Sequence, residues 1–270
     1  MNKKNLVWLL FLIWVQPAFA SEELNVNDYP DALNYKGLTG YYFVDSVQTL
    51  QKGAIQASLF GIAFKEDSSN YKKGTAEAIL SAGLLDGLEA SIMVPYIVQG
   101  GNGNMSGLGD VKIAGKYHLI DQIDEDIPAL ALAASVEFPT GDQNNGLRTV
   151  NSYGADLLLI AQSKIDLEDY SLNLVAEGGV YGQDINQTTQ EKHIEYGAAG
   201  YLPLDDQWVL IIEGIGTSSY GNNQDYAIVS ASLRLFMKKF TLTGGIDRTI
   251  AIETNAMNGT NLHGSINLPF

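Results

Sequence analysis

Thr260-Asn261-Leu262-His263-Gly264-Ser265-Ile266-Asn267-Leu268-Pro269-Phe270 is the stretch on which the reading of the fold turns. Leu262, Gly264, Ile266, Leu268 and Phe270 fall on one face of an extended strand, and Asn261, His263, Ser265 and Asn267 on the other, because strand side chains alternate with period two. A helix would spread both sets around its circumference. The apolar face ends on an aromatic ring, and a strand of this length, about 9–11 residues, crosses a bilayer when tilted.

The same alternation recurs upstream. In Val111 to Leu119 apolar residues and glycine hold the odd positions, while Lys112, Lys116 and His118 hold even ones. Leu130, Leu132, Ala134, Val136 and Phe138 oppose Ser135 and Glu137; Leu172, Leu174, Ala176 and Val180 oppose Ser171, Asn173 and Glu177; Val229, Ala231 and Leu233 oppose Ser230, Ser232 and Arg234. Twelve strands are placed at 53–64, 73–82, 87–97, 107–119, 128–139, 150–164, 170–182, 190–202, 206–217, 225–236, 239–247 and 260–270. In hydrocarbon every backbone donor and acceptor must be paired, so a spanning sheet closes. The expected fold is all-β, a transmembrane antiparallel up-and-down β-barrel of about 12 strands over residues 53–270. A terminal strand closing on an aromatic resembles the signal that barrel assembly machinery recognises in outer-membrane proteins.

The connections agree. Short turns fall at Gly83–Asp86, Asp166–Asp169, Pro203–Asp205 and Met237–Lys238, and longer polar loops at Thr140–Thr149, Ser218–Gln224 and Arg248–Gly259, the asymmetry of outer-membrane barrels. Ile120–Ile127 is the exception, eight residues where a tight turn is expected. Outward-phase aromatics gather at strand ends: Tyr117, Tyr170, Trp208, Phe240 and Phe270 at one interface, Tyr96, Phe138 and Tyr153 at the other, where amphipathic rings form girdles.

Residues 1–20 read as a cleaved signal peptide: Lys3 and Lys4, an apolar run from Leu6 to Val15, then Ala18-Phe19-Ala20 before Ser21. Ten apolar residues are half of what a retained helical anchor needs, about 20. Net charge is −15, or −17 without Lys3 and Lys4, which argues against a nucleic-acid partner. A hydrophobic content of 46% argues against a disordered acidic tail, and the lack of cysteine excludes disulfide scaffolds and thiolate metal sites. An exported chain of this kind is expected in the outer membrane of a Gram-negative cell, with lipid around it. Residues 21–52 precede the barrel; Tyr41-Tyr42-Phe43-Val44 is too apolar for a free tail, so the segment folds into the lumen as a plug, pairs as a further strand, or binds a periplasmic component.

Two elements carry a family resemblance. Gly107-Leu108-Gly109-Asp110-Val111-Lys112-Ile113-Ala114-Gly115-Lys116-Tyr117, followed about 30 residues later by Val136-Glu137-Phe138-Pro139-Thr140-Gly141-Asp142, resembles the outer-membrane transporter family named after the meta-pathway of phenol degradation. The resemblance implies a barrel that moves small, often hydrophobic or aromatic, molecules. In physical terms the glycines permit a tight strand start and Asp110 ties a turn, while Pro139 to Asp142 stops a strand.

The inward phase collects Glu77, Glu89, Asp110, Glu137, Asp156, Glu177, Glu191, Glu195, Glu213 and Asp247 against Lys112, Lys116, Lys164 and Arg234. The lumen-lining candidates are Glu77, Glu89, Asp110, Lys112, Lys116, Glu137, Asp156, Glu177, Glu195, Glu213 and Arg234. Rings of carboxylates favour a cation-conducting path; the same charges paired across strands would fill the barrel instead, since twelve strands lie between a packed eight and an open sixteen. His263-Gly264-Ser265 places a base and a nucleophile on one face, but that face turns inward. His118, His193 and His263 show no metal-ligand spacing. No enzyme activity, cofactor or metal is expected. The expected function is a channel or transporter for a small-molecule solute; the alternatives are a structural or surface-interaction barrel with an occluded lumen and, more remotely, a soluble secreted β-sandwich.

Overall fold

Period-two alternation is realised as one antiparallel sheet that closes on itself. The computed structural model describes residues 32–69, 71–100, 105–123, 127–143, 147–148, 150–166, 171–184, 191–219, 225–251 and 258–270. The expected signal peptide, residues 21–31 and Tyr170 lie outside the described residues, as does the side chain of Glu191. The strands are β1 (Ile55–Glu66), β2 (Lys72–Leu85), β3 (Leu88–Gly100), β4 (Met105–Leu108), β5 (Val111–Ile120), β6 (Ala129–Phe138), β7 (Gly154–Asp166), β8 (Ser171–Gln183), β9 (Glu191–Pro203), β10 (Trp208–Ser219), β11 (Tyr226–Met237), β12 (Phe240–Ala251) and β13 (Gly259–Pro269). Each pairs with its chain neighbour except that β4 and β5 both pair with β3, and β13 pairs with β1 from Gln56 opposite Pro269 to Glu66 opposite Gly259. No sheet edge is left open to lipid.

Thirteen segments make twelve staves, because β4 and β5 are two parts of one. Tyr96 of β3 faces Leu108, and Met93 faces Lys112, so this stave carries one residue more than its partner across the gap. That is a bulge, and it switches the phase. Leu108 is exposed on the lipid side, whereas beyond the bulge the odd residues Ile113 and Tyr117 are. The continuous strand expected over 107–119 is broken there.

The barrel is apolar outside and polar inside. Leu59, Leu80, Ile113, Leu132, Leu159, Ile212, Leu233 and Ile246 are exposed, and Leu262 reaches 63%, as a lipid-facing band requires. Tyr117, Trp208 and Phe270 are exposed near the ends joined by short turns, and Tyr96 and Tyr153 near the opposite ends. Tyr153 meets Phe138 edge to face at 5.9 Å. In the long connection after β5, Ile123 and Ile127 exchange backbone hydrogen bonds of 3.0 and 3.2 Å. Residues 124–126 of this connection lie outside the described residues.

Residues 32–52 lie inside the barrel as an irregular plug. Leu33, Leu38, Tyr41, Tyr42, Phe43, Val44, Val47 and Leu50 are all buried. Some pack with Ala131, Leu158, Ile160, Val175, Val209, Ile211 and Phe236 of the inner wall, others with Phe60, Ile79 and Met93. The chain leaves the lumen at the short-turn end, where Gly53 N donates to Gly83 O at 2.8 Å and β1 begins.

Candidate functional site: the plug and the outer lumen

A buried loop carries backbone donors and acceptors that no sheet or helix satisfies, and each left unpaired would be costly. Charged wall residues meet that need. Glu213 of β10 accepts from the backbone nitrogens of Tyr42, Phe43 and Val44 at 3.0, 2.8 and 2.9 Å through a single oxygen. Glu89 of β3 accepts from Thr39 N at 2.8 Å and Leu50 N at 2.9 Å. Glu177 of β8 accepts from Asp45 N at 2.9 Å and pairs with Lys36 at 2.6 Å. From the opposite sign, Arg234 of β11 donates to the carbonyls of Gly40 and Tyr41 at 3.1 and 2.8 Å. Lys116 of β5 donates to the carbonyls of Thr39 and Ser46 while paired with Glu89 at 3.1 Å. Five of the lumen candidates thus serve as main-chain partners of the plug.

Above the plug, toward the long-loop end, the lumen holds two adjoining cavities of about 390 and 420 Å³. Both are lined by Glu77's neighbours Lys73 and Thr75, by Lys112, Glu137 and Glu195, and by the rings of Tyr35, Tyr181 and Tyr226. Lys112 is tied to Asp156 at 2.9 Å, and Asp156 also accepts from Ser135. Tyr181 donates to Glu137 at 3.4 Å and stacks on His193 with centroids 6.0 Å apart. Glu77 is buried and its carboxyl meets the Tyr35 hydroxyl, but its second oxygen has no partner. Lys164 stands apart from both groups, half exposed and paired with Asp166 at 3.1 Å.

The two sequence elements singled out above clasp one another. Asp110, turned inward by the bulge, accepts from Gly141 N at 2.7 Å through one oxygen and from Val150 N at 2.9 Å through the other. In return Thr140 Oγ1 accepts from Val111 N at 2.8 Å. A Cβ at Gly141 would come within 2.7 Å of Leu147 O and 3.0 Å of the Asp110 carboxylate, so the close approach requires glycine there. The pair fixes the start of the β6–β7 loop at the mouth of the outer lumen.

A hydrogen-bonded relay lies where the sequence suggested His263 with Ser265. His263 Nδ1 is 2.9 Å from Asp247 and its Nε2 2.8 Å from Ser232; Ser265 Oγ has no partner. Ser232 and His263 are two strands apart, both opposite Gly245, where a Cβ would meet both at about 2.5 Å. The missing side chain lets them touch. Tyr42 of the plug stacks flat on the imidazole with centroids 3.9 Å apart, so the relay is covered and its service is to the plug. Among the described residues no group of three or more His, Cys, Asp or Glu could hold a metal ion.

Residues 41–262 match the family described as "Putative MetA-pathway of phenol degradation". The chain belongs to this family. The match begins in the plug, at Tyr41, and takes in the Asp110–Gly141 clasp of this chain, both halves of the lumen and β13 as far as Leu262. In fold the chain is similar to an outer-membrane channel of Pseudomonas putida F1, 19% identical, with 84% of this chain and 100% of that one covered and a TM-score of 0.61. It is also similar to the NanC porin (10% identical, 78% and 98% covered, TM-score 0.54) and to LpxR from Salmonella typhimurium (9%, 80% and 99%, 0.51). No curated protein matches the chain. This family member is an outer-membrane β-barrel.

Proposed function

We propose that the protein is an outer-membrane channel for a small molecule, with the outer lumen as the solute's path and the plug as the closure beneath it. The observation that carries this reading is the pair of cavities above the plug, together with the fact that hydrogen bonds and ion pairs, with no covalent link, hold the plug. On this reading Glu77, Lys112, Glu137, Asp156 and Glu195 line the path. Glu89, Lys116, Glu177, Glu213 and Arg234 set the position of the closure, and Asp110 sets the loop at the mouth. The solute of a family named for phenol degradation is small and aromatic or hydrophobic. The chain is exported from a Gram-negative cytoplasm by residues 1–20, inserted by the barrel assembly machinery through the strand ending at Phe270, and has no enzyme activity, since Tyr42 covers the Ser232–His263–Asp247 relay.

A second reading, a structural barrel with a closed lumen, is favoured by the burial of the plug. Uptake by liposomes separates the two. The channel reading expects protein-dependent entry of small solutes that rises when Glu213 is replaced; no entry with either form would leave the structural reading standing.

A further inference from the structure

We infer that the lipid-facing wall of β1, β2, β12 and β13 carries a docking surface for a phosphate-bearing acylated lipid of the outer leaflet, with Lys65, Lys72 and Arg248 holding its phosphate. The inference goes beyond the channel reading and does not depend on it. Among the described strand residues on the outward phase, the charged side chains are Lys65, Lys72, Lys192 and Arg248, all cations, in a chain whose net charge is −15. All four stand at the long-loop end, which faces the cell exterior in outer-membrane barrels. Three of them form one transverse row: Lys72 lies opposite Lys65, Lys65 opposite Thr260, and Thr260 opposite Arg248. Lys192, on β9, stands apart.

Two lysines directly opposite each other on one face of a sheet repel and destabilise the pair, and a bridging anion removes that cost. The acids of the adjoining loop do not cancel the row. Asp67, whose charge Lys65 also feels, is held by the Arg248 guanidinium, whose Nη1 donates to Asp67 and to Thr260 at 3.0 Å each. Glu66 accepts from the hydroxyls of Ser68 and Ser69. With both acids counted the row stays positive. The second observation lies directly below it. Ala63 and Gly74, two residues beneath Lys65 and Lys72 on the same face, open an apolar groove of about 480 Å³, which Gly61 and Gly264 continue and Tyr96 and Leu262 border. A Cβ at Gly61 would meet nothing within 4 Å, so the groove is open to the bilayer. Cations above an apolar groove match a molecule with a phosphate at one end and an acyl chain below it. A free phosphate would leave the groove empty. A second copy of the chain fits poorly, because a two-fold contact sets the same patch of both copies face to face and would bring one row of cations against the other.

Native mass spectrometry of the full chain, folded in detergent and titrated with diphosphoryl lipid A, tests this, with the same lipid after phosphatase treatment and inorganic phosphate as comparisons. Lipid A should bind in a saturable step, its dephosphorylated form at least about tenfold more weakly, and millimolar phosphate should not displace it. Lys65→Gln combined with Lys72→Gln should weaken lipid A by about tenfold, and Gly61→Phe, which fills the groove, by several-fold. Lys192→Gln, which removes a lone outward cation at the same end, should change the affinity by less than about twofold. Heat-modified gel mobility checks that each barrel folds, and the two lysines, exposed at the rim, decide the test if Gly61→Phe does not. Equal binding of the dephosphorylated lipid, displacement by phosphate alone, native affinity in the folded lysine variant, or as large a loss from Lys192→Gln would each overturn the site. A dimer that excludes lipid A would assign this face to a second copy of the chain and overturn it as well.

Discussion

The two halves of the lumen are built from the same strands and use carboxylates for different ends. In the inner half Glu89, Glu177 and Glu213 accept from plug backbone at 2.8 to 3.0 Å, and apolar wall residues such as Leu158, Ile160, Val209 and Ile211 close on the plug. In the outer half Glu77, Glu137 and Glu195 border open space. An acidic inward face therefore does not by itself mean a conducting ring. A carboxylate in a barrel acts on solute only where no main chain has claimed it.

The sharpest way to break this contrast is to remove one carboxylate from each half. Glu213→Ala strands three buried N–H groups and should cost about 3–5 kcal/mol in urea unfolding, while Glu195→Ala should cost within about 0.5 kcal/mol. Comparable losses would mean that the halves are not different in kind. Next in size is a test of the wall that both halves share. Leu132→Arg, on the lipid face, should destabilise by about 2–4 kcal/mol, and Thr75→Arg, which points into the outer cavity, by much less; the reverse order would invert the assigned faces.

A smaller effect separates two glutamates that the alternation put in one class. Glu137→Gln should lower the preference for cations in reversal-potential measurements by a few-fold. Glu177→Gln, whose side chain holds Lys36 and Asp45, should change how often the channel opens and leave the preference near native. The smallest concerns the rim. Burial pushes the Asp184 carboxyl up, but donors from Asn151 and Ser152 outweigh it and hold it below the usual carboxylate range. A depressed carboxyl stabilises above its unfolded value and loses that contribution as pH falls through its folded value. The β6–β7 loop should therefore resist acid proteases at pH 5 and yield to them only below about pH 4; release near neutrality would contradict the tie.

The strands were legible because lipid outside and polar groups inside impose period two, and each stave carries enough residues to show it. The plug was legible only as one of three placements left open by the apolar Tyr41-Tyr42-Phe43-Val44 run, because it has no period to decide among them. A second, indirect trace could have decided it: Leu157-Leu158-Leu159-Ile160 and Val209-Leu210-Ile211-Ile212 are continuous apolar runs, the mark of a strand covered on both faces, by lipid and by plug. The bulge at Gly109-Asp110 was hidden because one extra residue leaves each flank alternating correctly by itself. Pairing of His263 with Ser232 was hidden because it depends on the register across Gly245, which no single strand contains.

On the proposed reading, wall charges hold in place the plug that closes the channel. Planar-bilayer conductance of the native chain beside Glu213→Ala tests it most directly. Small, cation-preferring openings are expected for the native protein, and a conductance several-fold larger, with the same preference, once the three N–H groups of Tyr42, Phe43 and Val44 lose their acceptor. Folded Glu213→Ala protein that conducts no more than the native chain would contradict it.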